Sequence, residues 1–247
     1  MYKFCALFGG AAVVGLGLSA QAAVYTTGAA GTPTAASSGD GFIVAWNVDY
    51  SGRGIENKWE DTKVGQEGGT GFDTHRTIYK MMLPTLGTGE SISSVSFSYG
   101  YNGSSNLGDG VTPLASVDVV AYTSGTSALV GTDWDDNTSA ITVSTNELEF
   151  GVTPPGTRTI TGAALTQAVA QAYAKGLDHV DLRFQLHGGV AHDSQPYAKI
   201  YGFGTSESVE PTSRPALTLT TAVPEPAVLS LVGLSSLAAL RRRRRQA

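Results

Sequence analysis

Cysteine is almost absent from this chain, since Cys5 is the only one among its 247 residues. It lies in an apolar segment, Phe4 to Ala20, that follows a single positive charge at Lys3. Ala20, Gln21 and Ala22 form the small-x-small pattern of a signal-peptidase site, so residues 1–22 are predicted to be a signal peptide cleaved after Ala22. The mature chain would then carry no thiol, which excludes disulfides, cysteine–metal sites and a cysteine nucleophile. An uncleaved membrane helix is the alternative for this segment.

Positive charge is also scarce in the body of the chain. Between Ala23 and Val223, ten Lys and Arg residues stand against twenty Asp and Glu residues, a formal charge of −10. This balance argues against binding DNA or RNA through their phosphates. It leaves carboxylates available for Ca²⁺. A body of about 200 residues fits one β-domain of ordinary size.

A continuous apolar run of about 20 residues, the usual length of a membrane-spanning helix, is missing as well. The C-terminal segment 223–247 nevertheless has an ordered composition. Pro224, Glu225 and Pro226 form a stiff, non-helical entry, and Ala227 to Leu240 is an uncharged run of 14 residues. A block of cations that would stay on the cytoplasmic side of a membrane follows: Arg241, Arg242, Arg243, Arg244 and Arg245. The segment therefore predicts a short transmembrane helix.

The order of Pro-Glu-Pro, apolar run and arginines resembles the PEP-CTERM sorting signal of Gram-negative bacteria. The resemblance implies export through the Sec translocon, cleavage by signal peptidase, an inner-membrane intermediate and processing of the tail by an exosortase. The protein would then reach the outer surface or the extracellular polysaccharide matrix of a biofilm. An ordinary tail anchor is the alternative, and it accounts for the arginines but not for Pro-Glu-Pro.

Alternating apolar residues and regular turns characterise the body. Residues 23–40 are predicted to be a flexible lead-in or a first edge strand, and the polar stretch from Ser51 to Phe72 is predicted to be a loop. One helix is expected at Ala163 to Lys175, with Thr161 at its start and Gly176 after its end. Residues 41–222 are therefore predicted to form an all-β ectodomain, an antiparallel β-sandwich of jelly-roll type with nine or ten strands.

The alternation also assigns faces to the strand after the helix, HVDLRFQLH. Its apolar residues Val180, Leu182, Phe184 and Leu186 are expected to point inward. Its polar residues are expected to point outward: His179, Asp181, Arg183, Gln185 and His187.

Four segments of the body resemble, in order, the DNRLRE-type β-sandwich modules, which are non-catalytic relatives of carbohydrate-binding modules. The segments, between Arg76 and Thr221, are RTIYKMMLPTLGTGESISSVSFSY, SVDVVAYTSG with TDWDD, ITGAALTQAVAQAYAKG with VDLRFQL, and SESVEPTSRPALTLT. The resemblance implies a jelly roll and carbohydrate binding. The polar insert from Ser51 to Phe72 has no counterpart in it.

Two kinds of ligand site are predicted from single residues. Asp133, Asp135 and Asp136 crowd four positions and offer the hard oxygen ligands that suit Ca²⁺, although EF-hand spacing is missing; a solvated turn is the alternative. Trp59 and Trp134, both in polar surroundings, are candidate platforms for stacking on sugar rings, with burial as the alternative for each.

Catalytic signatures are missing, because the chain has neither a Gly-x-Ser-x-Gly elbow nor a His-Glu-x-x-His pattern. No catalytic residue is therefore predicted. The sequence favours an exported, non-enzymatic surface or matrix protein with carbohydrate binding. The alternatives are a secreted polysaccharide hydrolase or lyase and a purely structural matrix protein without a ligand.

Overall fold

The computed structural model describes residues 23–28, 40–46, 52–56, 61–67, 73–107, 115–188, 198–206 and 208–223. Within them the chain forms twelve strands and one α-helix, α1, at Ala163–Ala174. The all-β class with one short helix is thus confirmed. The strands are β1 Val24–Gly28, β2 Asp40–Trp46, β3 Gly52–Glu56, β4 Asp61–Glu67, β5 Asp73–Met82, β6 Ser91–Leu107, β7 Val117–Tyr122, β8 Ile141–Leu148, β9 Gly156–Thr161, β10 His179–Leu186, β11 Ala198–Gly204 and β12 Ala216–Ala222.

The strands belong to one antiparallel sheet with the order β1-β12-β6-β11-β4-β5-β10-β7-β8. The hairpin of β2 and β3 joins this path through β5, and β9 joins it through β6. The long strand β6 pairs with β12 along its first half and with β11 along its second half, while β9 pairs with its other edge.

The sheet is curled rather than flat. The ring of Tyr99 on β6 lies 4.9 Å from the ring of Phe184 on β10, centroid to centroid. These strands are four positions apart, so a flat sheet would hold them about 19 Å apart at the usual strand spacing. The curl therefore encloses an aromatic core, to which Tyr79, Phe97 and Phe203 also belong.

The helix α1 forms because the segment is rich in alanine and contains no glycine or proline. Its buried residues recur at helical spacing and pack on the main core: Leu165, Ala168, Val169 and Ala172. At its end, Gly176 adopts a φ of +70°, and the N–H of Leu177 donates to the carbonyl of Ala172 at 3.0 Å. This is a Schellman motif, as the glycine predicted.

The start of α1 differs from the prediction. The N-cap is Gly162, with a φ of +126° and no capping hydrogen bond from a side chain. Thr161 instead ends β9, where it faces Ser96 in the ladder. Strand pairing thus has priority over capping at this residue, and the first turn of the helix is left uncapped.

The polar insert from Ser51 to Phe72 contains strands β3 and β4, so its prediction as a loop is wrong. Strand β4 lies between β11 and β5, and its Val64 is completely buried. At Gly65, with a φ of +144°, a Cβ atom would come within 2.2 Å of the carbonyl oxygen of Lys199. The glycine that made the segment look like a loop is therefore needed for close strand approach.

The lead-in is a strand where the structure describes it. Residues Val24–Gly28 form β1, which pairs with β12 from Val24 opposite Thr220 to Gly28 opposite Ala216. Of the two alternatives for this segment, the edge strand is what forms at these five residues. Residues 29–39 lie outside the described part of the chain.

Candidate functional site

The outer side of strands β5, β7 and β10 is covered by the connection between β7 and β8, residues 123–140, here called the covering loop. Leu129 and Trp134 from this loop pack on Ile78 of β5 and form a small second core. The loop also contains a one-turn 3₁₀ helix, Gly131–Trp134. Polar side chains of β5 and β10 that face this side are thereby removed from solvent.

This burial corrects the prediction for β10. His179, Asp181 and Arg183 do point away from the main core, but their exposed fractions are only 2%, 0% and 2%. Alternation predicts which face of a sheet a residue occupies and cannot show what packs on that face. The three side chains belong to a buried polar cluster beneath the covering loop.

Lys80 on β5 is the centre of this cluster. Its ammonium donates to the Ser124 hydroxyl at 2.6 Å, to the Thr126 carbonyl at 2.9 Å and to Asp133 Oδ1 at 3.0 Å. The second carboxylate oxygen of Asp133 accepts the N–H of Val130 at 2.8 Å. One buried cation therefore binds three points of the covering loop.

Arg183 on β10 binds the same loop further along. Its guanidinium donates to the carbonyls of Asp133 at 3.1 Å and Asp136 at 2.7 Å, and to the side chain of Asn137 at 2.7 Å. It also lies 5.1 Å from the centre of the Tyr122 ring, within the range of a cation–π contact. Two buried cations thus fix the conformation of the covering loop.

The carboxylates predicted to bind Ca²⁺ do not converge. Asp133 forms an ion pair with Lys80. Asp135 lies 3.8 Å from Arg76. Asp136 accepts a hydrogen bond from the N–H of Thr138 at 2.8 Å. Among the described residues, no group of three or more acidic, histidine or cysteine side chains could hold a metal ion. The described structure therefore does not bring the three carboxylates together as a Ca²⁺ site, because Asp133 and Asp135 lie beside cations and Asp136 binds a backbone N–H of its own loop.

Trp134, one of the two candidate sugar platforms, is buried in this structure. Only 2% of it is exposed, and the Arg76 guanidinium lies 4.3 Å from the centre of its ring while donating to its carbonyl. Its predicted alternative, burial in a packed loop, is what the structure has. Trp59, the cleavage residues Ala20 and Ala22, and the sorting residues 224–226 and 241–245 lie outside the described part of the chain.

Asp181 is the least compensated member of the cluster. Its Oδ1 lies 3.5 Å from the Lys80 ammonium and 3.7 Å from Nε2 of His179, and neither carboxylate oxygen has a hydrogen-bond partner among the described residues. Burial raises the pKa of Asp181, and the nearby Lys80 opposes that effect only in part. Burial in this environment therefore makes the charged form of the carboxyl less favourable than it is in water.

Ser124 and His179 of the cluster and the exposed Asp178 stand in the order of a Ser-His-Asp triad, which sequence spacing did not reveal. Nε2 of His179 lies 3.2 Å from Ser124 Oγ, and Nδ1 lies 2.7 Å from Asp178. However, Ser124 is only 7% exposed. Its hydroxyl accepts a hydrogen bond from the Lys80 ammonium and donates one to the Thr126 carbonyl at 3.0 Å. A hydroxyl oxygen that accepts from an ammonium is a weakened nucleophile, so these contacts stabilise the loop.

A different feature lies on the outer face of β6 and β12, where α1 forms one wall of a groove of about 620 Å³. We call it the hydroxyl groove. None of the described residues that line it carries a charge, and seven of them carry hydroxyl groups from four elements: Ser93, Ser94, Ser96, Thr161, Thr166, Thr218 and Thr220.

Strand alternation and register place these hydroxyls. Leu217 and Leu219 point into the core, so Thr218 and Thr220 between and after them face outward. In the ladder, Thr218 lies opposite Ser96, and Ser96 lies opposite Thr161.

Strand β1 extends this row by one residue. Thr26 lies opposite Thr218, and their hydroxyl oxygens are 3.3 Å apart. A row of four hydroxyl residues therefore crosses β1, β12, β6 and β9. The row depends on the register between strands that are distant along the chain.

No protein-family model matches the chain, and no curated protein matches it significantly. Among the described residues, no helix combines the length and the apolar character that crossing a membrane requires.

Proposed function

We propose that this chain is an exported, non-catalytic surface or matrix protein of a Gram-negative bacterium, sorted through its C-terminal tail and associated with extracellular polysaccharide. The proposal takes the tail to be a PEP-CTERM signal processed by an exosortase. Signal peptidase and the Sec translocon would act on residues 1–22. The mature protein would lie on the outer surface or in the extracellular matrix.

The observation that carries this proposal is the position of the two ends of the sheet. Strand β1 begins at Val24, just after the predicted signal cleavage, and β12 ends at Ala222, just before Pro224. The two strands are antiparallel neighbours, and the N–H of Thr221 donates to the carbonyl of Ala23 at 2.9 Å. Both predicted processing sites therefore lie next to the same end of the domain.

This arrangement suits a precursor held in the membrane at both ends. Two apolar segments that leave the domain at the same end can enter the same bilayer without distorting the sheet. The positive charges beyond each segment, Lys3 and the five arginines, would both remain on the cytoplasmic side. Neither cleavage would remove a residue of the described strands.

For the fold we propose a jelly-roll β-sandwich, as the resemblance to DNRLRE-type modules implies. The curl of the sheet supports this, since it brings β6, β11 and β12 to face β5, β10 and β7. Contacts such as Phe184 with Phe203, 5.0 Å between ring centroids, are typical of two layers that share one core.

The sorting proposal is tested by replacing Pro224, Glu225 and Pro226 with alanine in the full chain. Export and signal cleavage should continue, while the tail should be retained and the protein should accumulate in the membrane fraction. The matched control, Ser235→Ala with Ser236→Ala, changes the apolar run and keeps Pro-Glu-Pro, and it should be processed normally. Normal tail removal and release of the triple variant would reject the proposal.

A further inference from the structure

We propose that the hydroxyl groove binds a single chain of an uncharged polysaccharide. This inference rests on the proposed extracellular function and adds to it the binding site and the chemical class of the ligand. It replaces the tryptophan platform at Trp134 with a polar, non-aromatic surface. This surface is formed by β6, β9, β12 and α1.

The charge distribution favours a neutral ligand. The body of the chain carries a formal charge of −10, yet the described lining of the groove is free of charged side chains. A polyanion would be repelled by the body and would find no cation in the groove. A polycation would be drawn to the carboxylates elsewhere on the surface rather than to this lining.

The chemistry of the lining matches sugars. A Ser or Thr hydroxyl can donate one hydrogen bond and accept two, so it can pair with a sugar hydroxyl in either direction. In the groove, the hydroxyls of Ser93 and Thr166 already donate to backbone carbonyls and would act as acceptors. The row of hydroxyls crosses neighbouring strands about 4.8 Å apart. The methyl groups of Thr218 and Thr220 and the side chains of Ala163 and Ala170 add small apolar patches for the C–H faces of sugar rings.

The shape of the site favours one chain over a flat crystalline surface. Residues Thr166, Gln167 and Ala170 of α1 stand beside the strands as a wall, so a flat sheet of packed chains could not reach the hydroxyl row. From Ala163 to Ala170 the wall extends about 10 Å at the usual helical rise. The volume lies within the range of about 300–1,000 Å³ that is typical of ligand sites.

The uncapped start of α1 adds hydrogen-bond donors at one end of the groove. Gly162 and Ala163 belong to the lining, and the N-cap Gly162 supplies no side-chain acceptor. First-turn N–H groups of a helix have no partner within the helix. They can therefore donate to ring or hydroxyl oxygens of a sugar without requiring a negative charge.

The inference is tested by affinity electrophoresis of the full chain, purified after expression, in gels that contain galactomannan, hydroxyethyl cellulose or dextran, with acidic alginate as the charged counterpart. At least one uncharged polymer should retard the protein, and alginate should not. In the variant Ser96→Ala with Thr218→Val, binding should weaken about tenfold, since each lost hydrogen bond weakens binding by a factor of about two to ten.

The matched control is Thr142→Val with Thr145→Val, two exposed residues of β8 away from the groove, and it should bind like the unaltered chain. Circular dichroism should show that both double variants are folded. Equal binding by the groove variant, binding to alginate alone, or no retardation by any uncharged polymer would overturn the inference. Tail processing of the groove variant is measured in parallel, so a failure of sorting is distinguished from a failure of binding.

Discussion

The ammonium of Lys80 lies 3.0 Å from a carboxylate oxygen of Asp133, and the two side chains are 0% and 1% exposed. This pair joins the central strand β5 to the covering loop. Because two opposite charges are buried together, removing one partner leaves the other uncompensated and away from solvent. The pair therefore determines whether the loop can remain packed on the sheet.

The first prediction concerns this pair. Lys80→Met should lower the free energy of unfolding by about 3–5 kcal/mol, because the Asp133 carboxylate would remain buried without its cation. Urea denaturation monitored by fluorescence measures the change. The double variant Lys80→Met with Asp133→Leu should lose clearly less than the sum of the two single variants. Additive losses would show that the two side chains do not act as a pair.

The second prediction concerns pH and Asp181. Burial raises the pKa of its carboxyl above the ordinary value of 3.8, so ionisation in the folded state opposes folding. The stability that comes from the neutral Asp181 carboxyl is complete below the unfolded-state pKa. It is lost as the pH rises through the raised folded-state pKa. Asp181→Asn should therefore be at least as stable as the unaltered chain at pH 7, with an advantage that disappears as the pH falls toward 3.8.

Asp178 provides the control for this pH dependence, since its side-chain hydrogen bond with His179 lowers its pKa. Its contribution has the opposite sign: it is present above the unfolded-state pKa and is lost as the pH falls through the lowered value. Thermal melts of Asp181→Asn and Asp178→Asn between pH 3.5 and pH 7 compare the two. A large loss of stability in Asp181→Asn at pH 7 would contradict the assignment.

The third prediction concerns Trp134. Its ring is buried on Ile78 and Leu129, so Trp134→Ala should cost about 3–5 kcal/mol of stability, the range for deleting a large buried aromatic. Trp134→Phe should cost less because part of the packing remains. In conditions where the variants are folded, binding to uncharged polysaccharides should be unchanged. Near-normal stability with loss of sugar binding would restore Trp134 as a sugar platform.

The sequence is informative where local chemistry decides the structure. The helix at Ala163–Ala174 follows from its alanines and from Gly176, and the inward residues of β6 follow from strict alternation. Both features depend on neighbours only a few residues away. For the same reason, the aromatic core of β6 could be predicted without knowing which strands it would meet.

The sequence is less informative where distant segments decide the structure. Strand β4 exists because it pairs with β11, more than a hundred residues later in the chain, and its own composition resembles a loop. The burial of Asp181 and Arg183 depends on the covering loop. The alternation of residues within β10 cannot show that this loop packs on their face of the sheet. The row of hydroxyls at the hydroxyl groove likewise requires the register of β12 on β6.

The most direct test of the central claim is the intact mass of the protein recovered from the cell surface and the medium. If the chain is exported and sorted through its tail, the mass should correspond to a polypeptide that begins at Ala23 and lacks the apolar run Ala227 to Leu240 and the five arginines. Peptide mapping should find a new C-terminus near Pro224. Recovery of the intact 247-residue chain, or of the protein only from the cytoplasm, would contradict the claim.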